Sequence, residues 1–101
     1  MESSLGARMT LANELKNFSS VPSDDLPESS GIFVVSCEVG GNHTILYAAF
    51  ADNINSAAKE AVSKSSFLKS CSGNVCYLLL QASRSHATEE HARKLRAYVQ
   101  N

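Results

Sequence analysis

The chain predicts an α+β fold: a small, three-stranded, mostly antiparallel sheet flanked by helices, in the order α-β-β-α-β-α. Three observations predict it. Two strand-length apolar runs, 31–39 and 43–51, are separated by Gly40-Gly41-Asn42, residues suited to the positive backbone φ of a tight hairpin turn. A helix-periodic segment follows, with Ile54, Ala57, Ala58, Ala61 and Val62 at i, i+3, i+4, i+7 and i+8. A third apolar run, VCYLLLQA over 75–82, then leads into a second amphipathic segment. A chain of 101 residues holds one domain of this kind, expected over 10–101 with residues 1–9 frayed.

Taken in order, Thr10 is placed to cap a short first helix whose Leu11, Leu15 and Phe18 form one apolar stripe. The stretch SSVPSDDLPESS, 19–30, contains both prolines, each of which biases the preceding residue away from helix, and reads as a connector. The 31–39 run is rich in β-branched and aromatic residues and forms a hairpin with 43–51. Asp52 or Asn53 can cap the next helix, whose alanine face allows close approach to a sheet. Ser72-Gly73-Asn74 is a turn signal, and the continuous apolar character of 75–82 predicts a central strand buried on both faces. The last helix is expected from Thr88, with Glu89-Glu90 in its first turn and Arg93, Lys94 and Arg96 later, a charge order that complements the helix dipole. Ala92, Leu95 and Val99 form its inner stripe.

Composition restricts the function classes. No apolar run approaches the roughly 20 residues that span a bilayer, so no membrane partner is expected. The beginning, MESSLGARMTLANELK, carries Glu2 and no unbroken apolar core, which is unlike a secretory signal; an intracellular, cytoplasmic location is the expectation. Cys37, Cys71 and Cys76 are an odd set, expected as small buried thiols rather than a disulfide framework. The glycosylation patterns at Asn17 and Asn42 then read as plain polar loop and turn residues. A formal net charge of −1 argues against avid binding to a nucleic-acid backbone, which draws affinity from Lys and Arg against phosphates.

The segment 26–99 resembles the GIY-YIG endonuclease domain, named for a tripeptide on each hairpin strand. Leu26-Pro27 stands where the family often has a leading "LP", Gly31-Ile32-Phe33 where GIY would, and Tyr47-Ala48-Ala49 where YIG would. Ala51, Asn53-Ile54 and Ala57 occupy the family's small residue, Asn-Leu and Arg on the following helix, and Leu95-Arg96 with Val99 meet a Leu-Glu pattern on the last one. The resemblance implies that two tyrosines, the helix Arg and the Glu would act together on a phosphodiester, the Glu holding a divalent metal. Here Phe33 lacks the hydroxyl, Ala49 replaces the glycine, Ala57 replaces the Arg and Arg96 replaces the Glu; only Tyr47 keeps the family residue. A guanidinium has no lone pair for a cation and repels it. A catalytically inactive binding module is therefore the expectation, with no cofactor and no metal, and with Tyr47, Arg84, Arg93 and Arg96 as candidate binding residues. A protein partner is expected ahead of nucleic acid.

Two alternatives remain open at the level of sequence. One is a nuclease dependent on Mg²⁺ or Mn²⁺ with carboxylates relocated to Glu60, Glu89 or Glu90. The other is an unrelated α+β adaptor that dimerises through an exposed sheet edge. Other chemistry is disfavoured by spacing. His86 and His91 are five apart, about 140° around a helix, and do not face one metal. Cys71 and Cys76 have no second pair for a zinc knuckle, and Gly40-Gly41 lies inside a hairpin rather than in a phosphate loop. For Tyr47 and for the Arg84, Arg93, Lys94, Arg96, Lys64 and Lys69 set, the plain alternatives are a tyrosine at the core edge and an ordinary solvated face.

Overall fold

The structure, a computed structural model, describes residues 14–64 and 67–99. Four strands form one sheet: β1 (Ser19–Val21), β2 (Gly31–Val39), β3 (Asn42–Ala51) and β4 (Asn74–Gln81), in the spatial order β1-β4-β2-β3. Every pairing is antiparallel. Because β3 and β4 both run antiparallel to β2, they run parallel to each other. The helix α1 (Ile54–Lys64) joins them across β2, and a 3₁₀ turn at Phe67–Ser70 precedes β4. The second helix, α2 (His86–Arg96), follows β4.

Alternation along β2 divides the apolar residues between two layers. Phe33, Val35 and Cys37 face α1 and pack with Leu26, Leu46, Ile54, Ala58 and Leu79. Ile32 and Val34 face the other way and pack with Ile45, Ala48, Leu78, and Ala92 and Leu95 of α2. Ile54 and Leu95 are completely buried, and each contributes about 2–3 kcal/mol of burial that fastens its helix to the sheet. A bulge in β3 keeps both layers filled: Tyr47 pairs with Val35 and Ile45 with Ser36, so Leu46 is the extra residue. Leu46 and Tyr47 consequently join the α1 layer together.

Local chemistry accounts for the boundaries. Gly40 and Gly41 hold φ values of 58° and 85° in the hairpin turn, a region costly for residues with a Cβ. At Gly31 the need is for space: an added Cβ would lie 2.9 Å from Gln81 Cα and would strike the Leu80 carbonyl oxygen. The glycine thus lets β2 and β4 meet at their ends. At the start of α1, Asn53 Oδ1 accepts from the Ser56 N–H at 3.1 Å, which selects Asn53 as the cap. The leading loop supplies more acceptors, Ser29 O for the Ile54 N–H at 2.9 Å and Pro27 O for the Asn55 N–H at 3.0 Å. Asn55 Nδ2 donates to Leu26 O at 2.8 Å. Leu26-Pro27 therefore anchors the helix, with Leu26 buried beneath it.

Several expectations are corrected. The sheet has four strands rather than three, because Ser19–Val21, read as part of a connector, pairs with Tyr77–Leu79. Three residues, two of them serines and the last followed by Pro22, leave no periodicity by which to see it. β4 is central in position but only Leu78 and Leu79 are buried, since β1 covers a short stretch of it and Val75 stands exposed. The last helix starts two residues earlier than expected. Ser85 is its cap, and Thr88 is the reciprocal member of a capping box, donating its backbone N–H to Ser85 Oγ at 3.2 Å. The cysteines are not all free: Cys37 and Cys71 form a disulfide across 34 positions, and Cys76 is a thiol. The 3₁₀ turn returns Cys71 over the sheet face that carries Cys37. The predicted first helix lies largely outside the described residues; its Leu15 and Phe18 pack on the α2 layer.

Candidate functional site

Of the four positions matched to catalytic residues, three lie together. Phe33 on β2 and Tyr47 on β3 are diagonal neighbours past the bulge, with ring centroids 5.7 Å apart and a tilt of 35° between their planes. Phe33 is buried and Tyr47 half-buried. Above them α1 presents Ala57 and Ala61, which pack against the same cluster. Small side chains bring this helix close to the sheet, and the two rings fill the space that longer helix residues would take. The fourth position, Arg96, is exposed on α2, the helix packed against the opposite face of the sheet. The structure does not bring it to the other three.

The candidate basic residues are distributed differently from a single patch. Arg84 sits between two carboxylates, 3.3 Å from Asp52 Oδ2 and 3.0 Å from Glu89 Oε1, and its guanidinium lies 4.6 Å over the Phe50 ring. Hydrogen bonding to Asp52, and the charges of Asp52 and Glu89, push its pKa further up. Arg93 pairs with Glu90, whose carboxyl is held below its ordinary range chiefly by that hydrogen bond. Among the described residues Lys94 and Arg96 make no ion pair. Lys64 bonds Glu60 along α1 at 3.7 Å. Asp52 and Phe50 were not legible as partners of Arg84, since the separation of 32 positions to Asp52 carries no local signal.

The carboxylates weighed as relocated ligands do not converge either. Glu60 is on α1, Glu89 and Glu90 are on α2, and the sheet lies between the two helices. No three His, Cys, Asp or Glu side chains among the described residues come together as a metal site. His91 is turned toward Glu14, 3.0 Å from its Oε1, and meets the Phe18 ring edge-on at 5.7 Å. A part-buried polar pair lies near the hairpin turn, Ser36 Oγ at 2.9 Å from His43 Nδ1. Ser36 is fully buried, so its hydroxyl is a satisfied core group without access for a substrate.

On the far flank of α1 from Tyr47 there is a cavity of about 290 Å³ between the helix, the turn at Ser23–Asp25 and β4. Leu26, Ala58, Val62 and Tyr77 give it apolar walls, and Asp24 and Lys59 stand with two serines at its lining. Its volume suits one apolar side chain or a small molecule rather than a nucleic-acid strand. Compared with known protein families, with known proteins and with solved structures, the chain has no match.

Proposed function

We propose that this chain is a binding module whose hairpin and following helix are GIY-YIG-like, without phosphodiesterase chemistry, and that its partner is protein. The observation that carries the reading is the division of the matched positions by the sheet. Groups acting on one phosphate must converge within about 3 Å of its reacting atoms. Phe33, Tyr47 and Ala57 belong to the α1 layer and Arg96 rides on the helix of the other layer. The first and third of these side chains pack in or against the core, as structural residues do.

Protein is favoured over nucleic acid by how the charges and donors are used. Arg84 and Arg93 are already matched to carboxylates. The first backbone N–H groups of α1, which could otherwise cradle a phosphate, donate to Ser29 O, Pro27 O and Asn53 Oδ1. The test is incubation with duplex, single-stranded and branched DNA in Mg²⁺ and in Mn²⁺, with products sized. Uncut substrate is the expected result. Metal-dependent products that disappear in Tyr47→Phe would overturn the reading in favour of a nuclease with relocated ligands.

A further inference from the structure

We propose that Asn42 is an N-glycosylation site, and that the chain folds in an oxidising secretory compartment where that modification is made. Two independent features carry this, apart from any binding role. The first is the disulfide between Cys37 and Cys71. Such bonds persist in oxidising compartments and are rare in the cytosol, so the pairing bears on location directly. The cytoplasmic expectation rested instead on the make-up of residues 1–16. The sheet also protects the bond from exchange with the remaining thiol. Cys76 is opposite Ser36 and so faces the α2 side, whereas Cys37 packs in the α1 layer.

The second feature is how the fold presents Asn42-His43-Thr44, an Asn-x-Thr acceptor pattern. Asn42 and Thr44 are exposed at the hairpin end, and neither side chain is hydrogen-bonded to another described residue. A Cβ built on Gly40 or Gly41 would meet nothing within 4 Å, so the space around the turn is open. Opposed residues of an antiparallel pair share a face: Asn42 is opposite Val39, Thr44 opposite Cys37, and Cys37 opposite Val75. Val39 and Val75 are the exposed large hydrophobic residues of the described chain. A sugar on Asn42 would stand over that face and shield apolar surface the protein leaves in water. The other match, Asn17-Phe18-Ser19, is less free, since Phe18 packs on the α2 layer and Ser19 pairs with Leu79. The modification joins Asn42 Nδ2 to the anomeric carbon of an oligosaccharide carried on a polyisoprenyl pyrophosphate. The anomeric carbon–oxygen bond breaks, the lipid pyrophosphate leaves, and the amide gives up one proton.

The experiment is peptide mass mapping of the full chain from its own cells, alkylated under denaturing, non-reducing conditions and then treated with a peptide-N-glycosidase. Residue 42 should carry a hexosamine-based glycan before treatment and read as aspartate after it. Of the three cysteines, only Cys76 should be alkylated. In the same cells Asn42→Gln and Thr44→Ala should each lose the glycan mass entirely, and Thr44→Ser, which keeps the hydroxyl, should retain it. Unmodified Asn42, a glycan on Asn17 alone, or alkylation of all three cysteines would each overturn the assignment. None of these outcomes touches DNA cleavage, so failure here and failure of the binding-module reading are told apart.

Discussion

Glu38 accepts hydrogen bonds from Asn74 Nδ2 at 3.1 Å and from the Gly41 N–H at 2.7 Å, so one exposed carboxylate ties the hairpin turn to the start of β4. These bonds, the Asn74 side chain first and the Gly41 backbone next, hold its pKa below the ordinary 4.5. A depressed carboxyl contributes stability that is complete above its unfolded pKa and is lost as pH falls through the folded one. Stability should therefore decline as pH falls through and below the ordinary carboxylate range, and Glu38→Gln should flatten that slope in urea titrations at each pH. At this scale the sequence was legible where a residue has one local task. Gly40 and Gly41 at the turn and Asn53 at the helix cap are such cases. Gly31 was legible as the first residue of a strand, but not its reason, since the Leu80 carbonyl it accommodates lies on another strand. Phe33 and Ala57 were seen as departures from a catalytic pattern, and their packing against one cluster came only with the fold.

Among the elements, both main helices followed from periodicity because each buries one continuous face in a layer of its own, and the hairpin followed from two apolar runs joined at Gly40-Gly41. β1 did not, because three residues gain their strand conformation from pairing with Tyr77–Leu79 rather than from their own propensity. The α2 start was misplaced by two residues for a related reason: Thr88 looks like a cap and is in fact the reciprocal partner of Ser85. The disulfide had no sequence signal, since Cys37 and Cys71 meet only once the turn before β4 folds back over the sheet. It closes a loop across 34 positions, worth about 2–4 kcal/mol through restriction of the unfolded chain. Urea unfolding with and without a thiol reductant checks this. The midpoint should fall on reduction, and Cys71→Ser should unfold at the reduced midpoint under both conditions. A midpoint unmoved by reductant would mean that Cys37 and Cys71 are not joined in solution.

For the molecule as a whole, the sheet determines what the chain can do by what it keeps apart. A list of matched positions along the chain says nothing about which face of a sheet each one reaches, and the order β1-β4-β2-β3 sends α1 and α2 to opposite faces. The α+β class and the hairpin were legible; the packing around Tyr47, the separation of Arg96 from it and the edge position of β3 were not, because all depend on long-range pairing. The same layering sets Arg84 against Asp52 and Glu89 and so removes a cation from the surface that a polyanion would read. The central proposal is that the chain recognises protein rather than a phosphodiester backbone. Fluorescence anisotropy of labelled duplex, single-stranded and branched DNA, titrated with the chain at low and at physiological salt, tests it most directly. No saturable binding at low salt, where backbone attraction is strongest, is the predicted result; saturable binding whose affinity falls linearly with salt on logarithmic axes would contradict it.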